Sequence, residues 1–222
     1  DKINTKRSEH KKKLKEVRMS RLEKQLKSNI LKRKKASKKI DAAVKIIETN
    51  YVNNQHWLIY CEGGEMMEEI RQLIISETRL SPLTYWSKMN KFQRKTSLEY
   101  FERTGGVMLA IKCLDEGVDV PAISHGIVLS SSKTKREWIQ RRGRLLRKSK
   151  NKSKAIIYDV LALPADSGEE VSFVLDEVNR SMKFSEAATN SRTVSHLLGK
   201  IIREYDINSD DLDQLEEGEH DE

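Results

Sequence analysis

The chain has 222 residues, of which 37% are hydrophobic and 34% are charged, and its formal net charge is +8. This composition suits one domain of ordinary size with long polar appendages, and the basic balance favours a polyanionic partner. No apolar run approaches the roughly 20 residues that cross a bilayer, and no signal-peptide pattern opens the chain, so neither a membrane protein nor a secreted one is expected.

The cysteines, Cys61 and Cys113, lie in or beside apolar runs and have no metal-ligand spacing. We therefore expect reduced thiols in an intracellular protein, cytoplasmic in a bacterium and nuclear in a eukaryote. The histidines are scattered without metal-binding pairs, so no metal site is expected. Because the chain begins at Asp1 and not at methionine, we expect a fragment of a longer protein.

Residues 1–40 carry 17 Lys or Arg against four acidic residues. Apolar residues recur at irregular helical steps from Leu14 to Ile30, which predicts an amphipathic helix. Two interpretations are open: a helix whose lysines neutralise nucleic-acid phosphates, and a solvated linker helix between two domains. Residues 1–40 are thus a basic helical arm or an interdomain linker.

In residues 41–163, short apolar runs alternate with helical patterns. Strands are predicted over Trp57–Cys61, Pro82–Trp86, Val107–Ile111, Ser124–Leu129 and Ala155–Val160. Helices are predicted over Ala42–Glu48, from Gly64 onward, over Lys91–Phe101 and over Lys135–Arg142. Strands that alternate with helices imply right-handed crossovers, and hence an α/β fold with a mostly parallel sheet.

The alternation stops after Pro164. Residues 164–205 are predicted to form a helical C-terminal extension, whose first helix begins at a capping box of Ser167 and Glu170. The segment Phe173–Glu177, F-V-L-D-E, resembles a Walker B strand, but it follows that cap and is predicted to be helical. Residues 206–222 contain nine acidic residues and no Lys or Arg, which is typical of an acidic tail.

The segment Ser130–Arg147, S-S-S-K-T-K-R-E-W-I-Q-R-R-G-R-L-L-R, has the chain's densest arginine content. In a helix, Arg144 and Arg147 share one face, where two guanidinium groups can grip a phosphate from two sides. From charge alone, a solvated basic helix is an equal alternative. Upstream, Leu109–Pro121, L-A-I-K-C-L-D-E-G-V-D-V-P, opens from a strand into a glycine-centred loop, as ligand-binding strand ends do in open α/β sheets.

Together with W-L-I-Y-C-E at Trp57–Glu62, these two segments resemble motifs IV, V and VI of superfamily 2 helicases and translocases. The order and spacing are most similar to the xeroderma pigmentosum group B type and its bacterial relatives, and the resemblance extends over residues 36–163. It implies the second domain of such a motor: a RecA-like three-layer domain, preceded by a basic helix and followed by C-terminal helices. Its implied partner is an N-terminal RecA-like domain of the same protein.

The resemblance implies ATP with Mg²⁺ as cofactor and assigns Arg144 and Arg147 to arginine fingers that reach ATP on the first domain. The positions that match nucleotide-binding and coupling residues are Gly117, Asp119, Gln140 and Arg141. The chain has no G-x-x-x-x-G-K-[ST] segment, so the Mg²⁺ ligands are expected on the first domain and the chain alone is expected to be inactive.

The resemblance also implies a nucleic-acid partner, DNA more than RNA. The expected contacts are Glu62, Gly63, Gly64, Lys112, Ser130, Ser131, Lys133 and Lys135. The helix expected after Gly64 offers free N–H groups that can hold a phosphate, and such contacts position a strand without reading its sequence. Trp86 and Trp138 could stack on bases but are expected to pack.

Two other classes of function stay open. A non-catalytic nucleic-acid-binding or regulatory module would keep this fold without hydrolysis, although such a module has no need of paired arginines. An interaction scaffold would use the basic arm and the acidic tail to bind other subunits of an assembly.

Overall fold

A computed structural model describes residues 36–111, 123–129, 152, 154–164 and 171–207 of the chain, without the side chains of residues 171–173. The chain divides into two units, Asp1–Lys38 and Lys39–Glu222. Residues 36–38 are the described part of the first unit, and they are helical.

The described part of the chain alternates strands and helices as the sequence predicts. The helices are α1 (residues 36–50), α2 (Gly64–Thr78), α3 (Lys91–Thr104), α4 (Val171–Ser185) and α5 (Ser191–Glu204). The strands are β1 (His56–Cys61), β2 (Leu83–Tyr85), β3 (Gly106–Ile111), β4 (His125–Val128) and β5 (Ile156–Asp159). Each predicted strand that is described lies within two residues of its expected bounds.

All five strands belong to one sheet in the order β2-β3-β1-β4-β5, and every neighbouring pair is parallel. The mostly parallel α/β sheet expected from the sequence is therefore confirmed. The chain crosses from β1 past β3 to β2 and then returns to β3, so right-handed crossovers place α2 and α3 on opposite faces of the sheet.

β1 is the centre of the sheet and its most buried strand. From Trp57 to Cys61 every residue is buried, as a continuous apolar run between two parallel neighbours requires. On one face the Trp57 ring stacks on His125 of β4, with 4.2 Å between the ring centroids. On the other face, Tyr60 belongs to a core cluster that includes Phe101 of α3 and Phe184 of α4.

The C-terminal helices confirm the predicted helical extension. α4 and α5 share a second apolar cluster, which contains Val174, Val178 and Leu198. The Walker B-like segment Phe173–Glu177 is helical, as expected. The capping box at Ser167 and Glu170, the helix over Lys135–Arg142, the arm before residue 36 and the tail after residue 207 lie outside the described residues.

Candidate functional site

The carboxyl ends of β1, β3 and β4 lie side by side at one edge of the sheet. The last residue of β1, Cys61, is paired with Ile111, the last residue of β3. On the other side of β1, Tyr60 is paired with Val128 of β4, and the Leu129 N–H donates to the Tyr60 carbonyl at 3.4 Å. Neighbouring strands lie about 4.8 Å apart. The segments after Cys61, Ile111 and Leu129 therefore leave the sheet within about 10 Å of one another.

The first of these segments turns directly into α2. Gly63 has extended backbone angles and precedes the helix without a side-chain cap, and no atom lies within 4 Å of the position where a Cβ would stand. The first helical hydrogen bond runs from the Met67 N–H to the Gly63 carbonyl at 3.0 Å. The N–H groups before Met67 have no acceptor within the helix, because the first turn of any helix lacks one. Among the described residues, none comes within 4 Å of the Gly63 Cβ position, which leaves room there for a ligand.

Trp86, which follows β2, closes the opposite side of the α2 turn. A Cβ on Gly64 would stand 3.0 Å from the Trp86 ring, so a larger residue there would have to push the ring by a few tenths of an ångström. The ring and Gly64 form part of the lining of an open cavity of about 790 Å³, to which Ile111 at the end of β3 also contributes. Trp86 is half-buried and packs against this turn, as the sequence analysis expects.

The two sides of the cavity carry opposite charge. The α2 side presents the carboxylates Glu65, Glu68 and Glu69. Among these, Glu68 is paired with the Arg71 guanidinium, whose two nitrogens lie 2.7 and 2.9 Å from its oxygens. Hydrogen bonds from Arg71 and Gln72 lower the pKa of the Glu68 carboxyl to about 2. That carboxylate is therefore charged at neutral pH.

The opposite side, from the end of β2 into α3, is basic. The cation that lines the cavity on this side is Lys88. Lys91, Arg94 and Lys95 follow it at the start of α3, and no acidic residue lies between Lys88 and Lys95 in the sequence. The Lys88 ammonium lies 5.0 Å from the centroid of the Trp86 ring, a cation–π distance. A polyanion at this edge would be attracted to the α3 side and repelled by the exposed carboxylates of α2.

The first turn of α3 is held by a complete capping box. The Gln93 N–H donates to the Asn90 side chain at 2.8 Å, and the Asn90 N–H donates to the Gln93 side chain at 3.0 Å. Between these two residues, Phe92 leaves 77% of its surface exposed. The sequence analysis missed Lys88, Phe92 and Lys95, although a run of cations around one aromatic residue after a strand was a signal that could have found them.

The sequence-predicted site residues divide into two groups. Glu62, Gly63 and Gly64 lie together at the carboxyl edge, in the turn between β1 and α2. The predicted nucleotide residues Gly117, Asp119, Gln140, Arg141, Arg144 and Arg147, and the predicted phosphate contacts Lys112, Ser130, Ser131, Lys133 and Lys135, lie outside the described residues.

Two further features of the described residues bear on function. No group of three or more His, Cys, Asp or Glu side chains within the described ranges is arranged to hold a metal ion. None of the helices in those ranges has the length and apolar content needed to cross a membrane.

Comparison with known proteins finds a family that matches about half of the chain. Residues 38–149 match the family described as helicase conserved C-terminal domain. The DNA 3'-5' translocase XPB2 of Sulfurisphaera tokodaii is 42% identical over 94 residues, which cover 41% of this chain and 21% of that protein. The chain thus matches about a fifth of this relative's length.

Solved structures agree with the fold. The C-terminal part of the Fun30 ATPase domain aligns with a TM-score of 0.51 at 18% identity, over 76% of this chain and 54% of that one. S. cerevisiae Dbp5 bound to RNA and ADP BeF3 aligns with a TM-score of 0.52 at 12% identity, over 77% of this chain and 42% of that one. At these identities the similarity concerns the fold of the chain.

Proposed function

The chain belongs to the helicase conserved C-terminal domain family and has its RecA-like fold, and we propose that it is the second motor domain of an ATP-dependent nucleic-acid translocase or helicase. It supplies arginine fingers to ATP with Mg²⁺ held by a first RecA-like domain of the same protein. Its own carboxyl edge contacts the nucleic-acid backbone, of DNA more than RNA. By itself the chain hydrolyses no ATP.

The strand order supports this proposal most directly. β3 and β4 flank β1 on either side, and all three run parallel. The carboxyl ends of β1, β3 and β4, from which the segments that resemble motifs IV, V and VI continue, are therefore adjacent at one edge, although these segments are far apart in the sequence. Ligands of open α/β sheets bind outside the carboxyl ends of the strands, so this edge is where a shared ligand is expected.

The arginine part of the proposal rests on the resemblance of Ser130–Arg147 to motif VI. Arg144 and Arg147 would stabilise the charge that develops on the transferred phosphoryl group, an effect worth roughly 10³ to 10⁵ in rate in related NTPases. Gly117, Asp119, Gln140 and Arg141 would couple the nucleotide to the domain.

The nucleic-acid part of the proposal rests on the open turn at Gly63 and on the basic side of the cavity. The free N–H groups before Met67 can hold one phosphate. Lys112, Ser130, Ser131, Lys133 and Lys135 would extend this contact along the backbone, and Glu62 would border it. Such contacts position a strand without selecting its sequence.

The decisive experiment joins the chain to its natural upstream domain and measures ATP hydrolysis with single-stranded DNA, duplex DNA and RNA. The wild type is compared with Arg147→Ala and with Arg192→Ala. Arg192 is an exposed arginine at the start of α5 and serves as the matched control. We expect polymer-stimulated turnover that collapses in Arg147→Ala and is unchanged in Arg192→Ala, because Arg147 is proposed to meet the nucleotide and Arg192 is not.

Slow turnover that ignores the polymer and survives Arg147→Ala would contradict the motor assignment. The non-catalytic binding or regulatory module would then replace it. The polymer that gives the greatest stimulation would identify the substrate as DNA or RNA.

A further inference from the structure

Phe92 is the most exposed large hydrophobic side chain among the described residues, with 77% of its surface open to solvent. One exposed apolar residue is ordinary on a protein surface. The position of Phe92 is unusual, because Phe92 lies in the first turn of α3, at the same carboxyl edge as the Gly63 turn. Asn90 and Gln93, on either side of Phe92, form the capping box that holds this turn in place.

The cations around Phe92 are available to an external anion. Lys88 and Lys91 are exposed and form no ion pair within the described residues. Lys95 lies one helical turn after Phe92, on the same face of α3, where Cβ atoms are about 5 to 6 Å apart. Its partner Glu99 is 3.7 Å away, in a pair of which both side chains are mostly exposed and which is therefore weak.

We propose that the first turn of α3 is a stacking platform for single-stranded nucleic acid, with a base on the Phe92 ring and phosphates at Lys88, Lys91 and Lys95. The inference rests on the proposed function, because it names the strand state that the same edge binds. An aromatic face beside a cationic groove binds single strands by stacking, whatever their sequence. Bases inside a duplex are covered by their neighbours and present no free face.

The local composition argues against a protein partner at this platform. Protein interfaces are depleted of lysine at their centres, whereas lysines surround Phe92 and no acidic residue interrupts the basic run from Lys88 to Lys95. An acidic peptide is the competing occupant, and it would use the same charges without needing a flat ring.

The test uses the full chain and measures binding of a labelled oligothymidylate, and of a blunt duplex of the same length, by fluorescence anisotropy. Phe92→Ala is expected to weaken oligothymidylate binding roughly 5- to 100-fold and to leave duplex binding unchanged. Phe92→Trp is expected to restore the single-strand affinity. Val52→Ala is the matched control, since Val52 is 60% exposed and precedes β1 at the opposite edge of the sheet.

The lysines should act through charge and the ring through stacking. Lys91→Gln is therefore expected to lower the slope of log affinity against log salt by about 0.7, whereas Phe92→Ala is expected to leave that slope unchanged. As an independent readout, an oligonucleotide that carries 5-iodouracil should form a photochemical crosslink at residue 92.

Three outcomes would overturn the inference. The platform is excluded if Phe92→Ala weakens binding of single strand and duplex equally. It is also excluded if Phe92→Ala does not weaken binding and the crosslink is confined to residues 1–40. In both cases the wild type still binds nucleic acid, so the proposed function stands. If Lys91→Gln weakens binding of poly-glutamate and leaves oligothymidylate binding unchanged, the surface binds an acidic peptide. If the wild type binds neither nucleic acid, the nucleic-acid part of the proposed function fails as well.

Discussion

The ammonium of Lys39 on α1 lies 3.4 Å from both carboxylate oxygens of Glu177 on α4, and both side chains are almost fully buried. Arg180 extends this pair, because its guanidinium contacts Glu177 at 3.2 Å and Asp159, at the end of β5, at 2.5 Å. Burial disfavours the charged form of Arg180, but Asp159 and Glu177 outweigh it and raise the pKa of Arg180. Two cations and two anions thus tie together α1, α4 and the last residue of β5.

We expect Glu177→Leu to destabilise the chain strongly. The substitution removes the buried carboxylate that Lys39 and Arg180 share, and removing one partner of a buried ion pair costs about 3 to 5 kcal/mol. The free energy of unfolding, measured by chemical denaturation, should fall by that amount. Glu99→Gln breaks the exposed Lys95–Glu99 pair and should change it by at most about 0.5 kcal/mol. Equal effects of the two variants would show that the buried cluster contributes nothing special.

Among Gly63, Gly105 and Gly106, Gly105 is expected to be the least tolerant of substitution. Its φ is +71°, and an added Cβ would stand 2.7 Å from the Gln55 carbonyl oxygen. Gly106 has φ +105° but open space around it, and Gly63 has extended backbone and open space. Alanine at Gly105 should therefore cost more than about 3 kcal/mol, at Gly106 about 1 to 3 kcal/mol, and at Gly63 little.

Thermal and denaturant unfolding of the three alanine variants would test this order. The order separates two causes, because Gly106 tests backbone strain alone and Gly105 adds a collision with backbone. A Gly105→Ala variant as stable as Gly63→Ala would mean that the turn before β3 rearranges at no cost.

The centre of the sheet was predictable because β1 and β3 are buried on both faces and form continuous apolar runs. Trp57–Cys61 is such a run, and both its existence and its burial follow from composition. The Lys39–Glu177 pair was not predictable, because 138 residues separate its partners. Asp176 and Glu177 are adjacent acids, yet the first is exposed and the second is buried. Only the packing of α4 decides between them.

The candidate site was predictable to a similar extent. The resemblance to motif IV selected Glu62, Gly63 and Gly64, which the structure places at the carboxyl edge. It did not select Lys88 or Phe92. The exposure of Phe92, and the opposite charges of α2 and Lys88 across the cavity, depend on how α2 and α3 are placed in the folded chain. The run of cations around Phe92 is visible in the sequence, but the exposure of Phe92 and its position at the carboxyl edge are set only by the folded chain.

Cys61 is expected to be unreactive in the folded chain. Burial at the end of β1 raises the pKa of the Cys61 thiol to about 12, and the reactive thiolate is therefore scarce at neutral pH. In a Cys113→Ser background, a thiol-disulfide reagent at mildly alkaline pH should modify Cys61 only after denaturant is added. Rapid modification of the native chain would show that β1 opens at this edge.

His125 is expected to make the chain less stable in mild acid. The ring is buried against Trp57, and its Nδ1 lies 2.8 Å from the Ser124 hydroxyl. Burial lowers the pKa of His125 below its ordinary value. The unfolded chain then binds the proton more readily than the folded chain, so stability falls as pH drops through about 6.5 and continues to fall towards the folded pKa.

The variant His125→Phe isolates this effect, because it keeps a ring on Trp57 and removes the titrating group. The free energy of unfolding of wild type and variant should be measured from about pH 7.5 to about pH 5.5. All other titrations are shared, so the difference between the two curves reports His125 alone. The wild type should lose stability relative to the variant as the pH falls. A difference that does not change with pH would mean that the imidazole accepts its proton in the folded state as readily as in the unfolded chain.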